Sequence, residues 1–335
     1  MNIYDIARLA NVSTATVSRV LNNSGPISQK SREKVEAVIA REGFIPNAFA
    51  HNLNTKQSHT VGIICPVIAD PNHAYPVAEL NRLLRENGFE ILLISTQSNA
   101  ESKRPYFQSL IHRQVDAAIV IGCNRTDAER EDFLYAAGHI PVLIVNGRID
   151  GRNLYATLCD ENKAAREVVG LFTRAGYSRI LYLYDSETYS GAMKLEGYLQ
   201  GIRDAGGTPL TVQIVSDGSS FYQTVDTVRA MLAHTGFDAV FSADDSLAVG
   251  AAKALREANR PSVPTIGFNN TILSRCATPE LSSIDNCMKQ QCALTVQTLL
   301  SVLQKKKTSP CIALDARLIC RGDLRAQLGA FAPVG

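Results

Sequence analysis

From Thr60 onward the sequence alternates short β-branched runs with stretches of helical pattern, and no other feature narrows the fold as much. The runs "TVGIICPV", "FEILLIST", "AAIVIG" and "PVLIVN" are separated by helical stretches at 76–87, 101–113 and 127–138. A second series follows, "RILYLY", "TVQIV", "AVFSA" and "PTIGF", with helices near 190–205, 221–235 and 245–259. "LSSID" and a further helix at 287–304 complete it. Strands alternating with helices predict parallel sheets in an α/β architecture. Two such series predict two similar lobes joined by crossovers.

Residues 1–46 follow another pattern, three short helices. Asn2 caps the first, with Asp5 in its opening turn favoured by the helix dipole. Ile6, Leu9 and Ala10 form its inward stripe. The second helix runs from about Ser13 to Asn22. The third runs from Ser28 to Glu42 and turns Val35, Val38 and Ile39 inward, with Gly25-Pro26 before it and Gly43 ending it. The stretch "PNAFAHNLNTKQSHT" (46–60) has no core stripe long enough for a stable isolated helix and reads as a linker that folds on contact with a partner.

The second helix is unusual in its outer face. Val17, Val20 and Leu21 form a buried side, while Thr14, Ala15, Ser18, Arg19 and Asn22 fall together on the other. Short hydroxyl side chains allow close approach to a surface and hydrogen-bond to phosphates. Arginine offers a fork that matches guanine O6 and N7. A helix carrying these groups, after another helix and a tight turn at Asn11-Val12-Ser13, has helix-turn-helix geometry. An amphipathic surface helix without a partner is the competing reading of this stretch taken alone.

Charge supports a polyanion partner without proving one. Residues 1–59 hold seven Lys/Arg against four Asp/Glu, which leaves 27 against 28 for the rest of the chain's 34 and 32. The small positive excess is thus confined to the N-terminal sixth. The eight cysteines show no CxxC spacing and read as reduced, mostly buried thiols, with no metal site expected. No secretory leader pattern is present, and no apolar run approaches the roughly 20 residues that span a bilayer, so a cytoplasmic protein with no membrane partner is expected. Neither GxGxxG, nor a P-loop, nor GxSxG occurs, and no catalytic residue is nominated.

The segments "IYDIARLANVSTATVSRVLN", "SREKVEAVI" and "GFIPNAFAHNL" together resemble the DNA-binding headpiece of LacI-family transcriptional regulators. The remainder is similar to that family's effector-binding core, which looks like a periplasmic sugar-binding protein, through "VDAAIVIG", "IPVLIVNGR", "AVFSADDSLAVGAAKAL", "IGFNN", "PELSSI" and "LICRGDL". The resemblance implies an all-α helix-turn-helix headpiece at 1–46 and a hinge helix or linker at 47–59. It further implies a two-lobed α/β core of parallel sheets at 60–335, with lobes of roughly 60–159 plus 286–317 and 160–285 plus 318–330.

Carried over position by position, Thr14, Ala15 and Arg19 are implied to reach base edges. Tyr4, Ser13, Thr16, Ser18, Asn22, Ser31 and Arg32 are implied to clamp phosphates. Asn47, Ala50, His51 and Leu53 fall in the hinge that lies in the minor groove, with Leu53 as the wedge; His51 replaces a common arginine. The implied effector site holds Asn72, His73, Asn146, Arg148, Ser190, Lys194, Phe221, Asp244 and Asn269. "DPNH" (70–73) departs from the family's Asn-Pro-Phe-Phe, and Asn146 and Asn269 stand where aspartates are common. Two amides in place of carboxylates, with Lys194 retained, predict a more positive cleft and favour an anionic sugar such as a phosphate over a neutral one.

The expected function is a homodimeric repressor of carbohydrate-utilisation genes, released from a palindromic double-stranded operator by a sugar or sugar-phosphate effector, with no cofactor. A corepressor-type regulator answering to a non-sugar metabolite, and a solute-binding protein, are the alternatives. The short tail after Leu324 carries no leucine heptad, so a dimer rather than a tetramer is expected.

Overall fold

A computed structural model describes residues 2–21, 25–43, 58–96, 102–214 and 220–329. The chain divides into two compact units, Met1–Ser58 and His59–Gly335.

In the first unit, α1 (Ile3–Ala10), α2 (Thr14–Leu21) and α3 (Gln29–Glu42) enclose a small core of Ile6, Ala7, Ala10, Val17, Val20, Val35 and Val38. Each start has a side-chain cap. Asn2 Oδ1 accepts from the Tyr4 and Asp5 amides while Asp5 accepts from the Asn2 amide, a closed capping box. Ser13 Oγ accepts from the Thr16 amide at 3.1 Å, and Ser28 Oγ from the Ser31 amide at 3.2 Å. Asn11 and Gly43 close α1 and α3 in the left-handed region, at φ 51° and 60°. The expected inward stripe of α1 needs one correction. Leu9 is 44% exposed and Ala7 is buried in its place. On the helical wheel the two flank Ile6 and Ala10 on opposite sides, and the small Ala7 edge allows closer approach by the neighbouring helices.

The second unit contains two six-stranded sheets. The first, in spatial order, is β11 (Cys311–Leu314), β5 (Leu154–Cys159), β4 (Val142–Val145), β3 (Ala117–Ile121), β1 (Thr60–Cys65) and β2 (Glu90–Ser95), parallel throughout. The second is β12 (Arg317–Ile319), β10 (Ser282–Asp285), β9 (Thr265–Phe268), β8 (Ala239–Ser242), β6 (Ile180–Tyr184) and β7 (Leu210–Gln213). It is parallel except where β12 pairs antiparallel with β10. The strands β1, β3, β4, β6, β8 and β9 are almost wholly buried, as sheets covered on both faces require.

Helices α4 (Pro71–Glu86), α5 (Arg104–His112), α6 (Asp127–Ala137) and α12 (Met288–Leu303) serve the first sheet. Helices α7 (Glu161–Arg174), α8 (Tyr189–Asp204), α9 (Ser220–His234) and α10 (Asp245–Glu257) serve the second, joined by the short α11 (Ile272–Cys276) and α13 (Leu324–Leu328). The chain passes between the sheets three times: from β5 to α7, from β10 to α12, and from β11 to β12.

Helix α4 starts five residues before the expected boundary. Asp70 accepts from the Asn72 amide at 2.8 Å and Pro71 occupies the first turn, where a missing N–H costs nothing, so Pro76 lies inside the helix rather than at its start. Helices α7 and α8 approach closely because Gly197 and Gly201 carry no side chain. A Cβ at Gly197 would meet the Asn162 carbonyl oxygen, and one at Gly201 the Val169 side chain. Gly201→Ala should therefore destabilise the core by about 1–3 kcal/mol through overpacking, read as a lower urea midpoint at unchanged m-value.

Candidate nucleic-acid interface and ligand cleft

Helix α2 buries Val17 completely and Val20 nearly so. This fixes its other face outward, and Thr14, Ala15 and Arg19 are exposed there. Thr16 and Ser18 are half-buried at the flank. The Ser13 and Thr16 hydroxyls share a 2.9 Å hydrogen bond, so one hydroxyl proton of the pair is committed and the other is free to meet an acceptor. Tyr4 projects from the first turn of α1 at 71% exposure. Ser31 bonds the Ser28 hydroxyl at 2.9 Å, and Arg32 lies 3.7 Å from Glu36. Helix α2 carries no acidic group, leaving Arg19 as the one formal charge on its outer face. Asn22 and the hinge residues Asn47, Ala50, His51 and Leu53 lie outside the described residues.

Between the lobes of the second unit, four of the expected effector-site residues meet. Asn72, in the first turn of α4, donates its amide to Asp244 Oδ2 and accepts from Asn269 Nδ2 at 3.0 Å. Asn269 Nδ2 also reaches Asp244 Oδ2 at 3.3 Å. Asp244 caps α10, and Asn269 follows β9 in a left-handed conformation (φ 87°) that turns the chain out of the strand. Lys194 Nζ donates to Asn269 Oδ1 at 2.9 Å and to the Ala243 carbonyl at 3.0 Å, over the Phe268 ring. The first lobe is thus joined to the second by side chains that are all hydrogen-bonding and exchangeable.

The remaining expected residues lie outside this network. His73 donates through Nδ1 to the Val67 carbonyl at 3.1 Å. Arg148 is exposed and pairs with Asp150 at 2.9 Å. Phe221 packs against the apolar cluster beside β6 and stacks edge-on with the exposed Tyr222. Ser190 is half-buried in the first turn of α8. Asn146 follows β4 with φ 57°, its amide donating to the Thr157 carbonyl and to Gln291 Oε1.

Sequence reasoning missed Glu161, Asp185, Asn286 and Gln291. Glu161 is buried 3.6 Å from Lys194. Asn286 donates to Asn269 Oδ1 at 3.2 Å, and Gln291 links the Asn286 carbonyl to Asn146. Asp185 directly follows β6, and the carboxyl ends of strands in open α/β sheets are where ligands bind; that positional signal could have found it.

The charge balance runs against the expected positive cleft. Lys194 is already matched by Glu161, and Asp70, Asp185 and Asp244 interact with one another nearby. Burial, with Asp244 beside it, pushes the Asp185 carboxyl up to about 7. Burial and then Asp70 raise Asp244 as well. Asp245 is pushed up to about 6 by burial, although Ser283 and Thr271 donate to it. A carboxyl raised above its unfolded value of about 3.9 adds stability below that pH and loses it as pH rises through the folded value. For Asp185 the window is roughly pH 4 to 7. Asp185→Asn should therefore flatten the fall in Tm between pH 5 and 7, the Asp245 contribution being common to both proteins; an identical slope in both proteins would remove Asp185 from the account.

Residues 2–47 match the family described as "Bacterial regulatory proteins, lacI family", and residues 58–309 match "Periplasmic binding proteins and sugar binding domain of LacI family". The chain belongs to the LacI family. A curated relative of this LacI-family chain, an HTH-type transcriptional regulator of Lachnoclostridium phytofermentans, is 36% identical over 90% of this chain and 93% of its own length. The HTH-type transcriptional regulator AscG of Escherichia coli is 27% identical over 97% and 98%. Among solved structures, a lac repressor dimer bound to operator and the anti-inducer ONPF superposes with a TM-score of 0.85 at 23% identity, covering 96% of this chain and 98% of that one. A CelR–cellobiose complex gives 0.68 at 24%, covering 96% and 99%. These two likenesses show the fold: a helical headpiece followed by a two-lobed α/β core. The LacI-family chain is a DNA-binding transcriptional regulator, and its relatives are regulators rather than enzymes. No described helix is long and apolar enough to cross a membrane, and no group of three or more His, Cys, Asp or Glu among the described residues could hold a metal ion.

Proposed function

We propose that this regulator is a cytoplasmic homodimeric repressor that binds a palindromic operator and is released by a neutral sugar held between its lobes. Thr14, Ala15 and Arg19 read base edges in the major groove, and Tyr4, Ser13, Thr16, Ser18, Asn22, Ser31 and Arg32 hold the backbone. Asn47, Ala50, His51 and Leu53 enter the minor groove between half-sites. The solved structures bound to operator or to cellobiose are of proteins with the same fold.

The single observation behind the ligand part is the Asn72–Asp244–Asn269 junction across the cleft. Sugar hydroxyls both donate and accept, so a bound sugar exchanges those bonds nearly one for one while altering the lobe angle. That changes the population of DNA-competent molecules. The neutral class is preferred to a sugar phosphate because Lys194 is internally paired and the surrounding carboxylates repel an anion.

A panel of neutral sugars and their phosphates, tested by thermal shift, separates the two. A rise in Tm with a neutral sugar, absent with its phosphate and lost in Asn72→Ala, is the expected outcome; stabilisation by phosphates alone would restore the anionic effector. Whether the active compound weakens or strengthens operator binding then distinguishes induction from corepression.

A further inference from the structure

The hinge between the lobes contains a pair of thiols. Cys159 ends β5 at the first crossover, and Cys287 lies in the second, just before α12. The third crossover touches both. Leu314 at the end of β11 is the register partner of Cys159, and the next residue, Asp315, offers its carbonyl to the Cys287 thiol at 3.3 Å. Cys159 and Cys287 lie close enough for each to act on the other's thiol. The Cys287 thiol therefore ends on the Asp315 carbonyl, one residue beyond the register partner of Cys159, and the two cysteines are brought together from separate crossovers.

We infer that Cys159 and Cys287 form an oxidisable pair whose disulfide would tie the first crossover to the second and restrain rotation of the lobes. Cys287 is the half-buried member and Cys159 the enclosed one, so a small oxidant meets Cys287 first. The co-reactant is a hydroperoxide. The Cys287 thiolate attacks its outer oxygen, giving a sulfenic acid and, after protonation, an alcohol or water. Cys159 then attacks the sulfenic sulfur, the S–O bond breaks, and hydroxide leaves with the Cys159 proton as water. Two thiols are oxidised to one disulfide and the peroxide is reduced. A dithiol reductant reverses the step.

Burial raises both thiols, and for Cys287 the nearby Asp285 and Asp315 add to this while Arg317 and the Cys159 S–H oppose it. Glu161 lies close enough to raise Cys159. Oxidation is therefore slow at neutral pH and accelerates as pH rises, which distinguishes this pair from a peroxide sensor with a permanently ionised thiol.

The test is exposure of the full chain to hydrogen peroxide at pH 7 and pH 9, then thiol counting and non-reducing peptide mapping. The expected result is loss of two of the eight thiols, a linked Cys159–Cys287 peptide, and roughly tenfold or greater acceleration between the two pH values, as a thiol of raised pKa gives. The pattern should persist in Cys276→Ser, which removes the exposed thiol. Cys159→Ser should halt at a Cys287 sulfenic acid trapped by dimedone, and slowed amide exchange at 285–288 in the linked parent reports the restrained crossover. Eight surviving thiols, or a disulfide formed by any other pair, would overturn the inference.

Discussion

Lys194→Met lowers the stability of the core by about 3–5 kcal/mol, the cost of removing one partner from a buried ion pair. The ammonium is 4% exposed and its partner Glu161 is 2% exposed, with one Glu161 oxygen already lacking a hydrogen bond. Without the ammonium, Glu161 is left as an uncompensated carboxylate, the Ala243 carbonyl loses its donor, and Asn269 Oδ1 loses one of two donors, keeping the Asn286 amide. Glu161→Gln placed on the Lys194→Met background should recover much of the loss. Urea unfolding of the four proteins of that cycle measures it, and additive single effects would mean that the two groups do not act as a pair. The same substitution removes the Lys194 ammonium from Asn269, so neutral-sugar binding should weaken through loss of the Asn269 orientation.

The second large effect concerns DNA. Arg19→Ala should cost about 1–3 kcal/mol of operator affinity, or roughly fivefold to 150-fold, and relax sequence preference at one position in each half-site. Arg32→Ala should weaken all duplexes alike and reduce the salt dependence, because a phosphate contact contributes affinity without reading bases. Neither change disturbs the headpiece core: Arg19 is exposed and Arg32 half-buried, while the apolar residues of α2 remain in place. Filter binding or anisotropy over a set of single-base operator variants separates the two behaviours. Equal, sequence-independent losses for both arginines would reassign Arg19 to the backbone.

Much of the fold was legible because burial on both faces writes continuous apolar runs for parallel strands. "AAIVI" and "VLIV" announce β3 and β4 without ambiguity. Among the elements not singled out, β5 is almost wholly buried and α7 buries one face, while others have a structure imposed by partners. Strands β11 and β12 span four and three residues, half-exposed, and owe their extended state to β5 and β10. Helix α4 starts before the expected residue 76 because the Asp70 cap and Pro71 supply the start signal, and Pro76 sits inside the helix.

The headpiece face could be read from spacing alone, since Val17 and Val20 fix which side of α2 points outward. The cleft was harder. Asn72, Lys194, Asp244 and Asn269 come from four separate elements, and counting charges at matching positions leaves out the buried carboxyl groups beside them. Glu161 and Asp185, two of those groups, sit more than twenty residues apart, beyond any local pattern.

The central claim is sequence-specific DNA binding controlled by a ligand between the lobes. Its most direct test is selection of duplexes from a random pool by the full chain, repeated with each member of the sugar panel. The account predicts enrichment of one palindrome with two identical half-sites, and its loss on adding one neutral sugar. A pool that shows no sequence enrichment, with the headpiece folded, would contradict it.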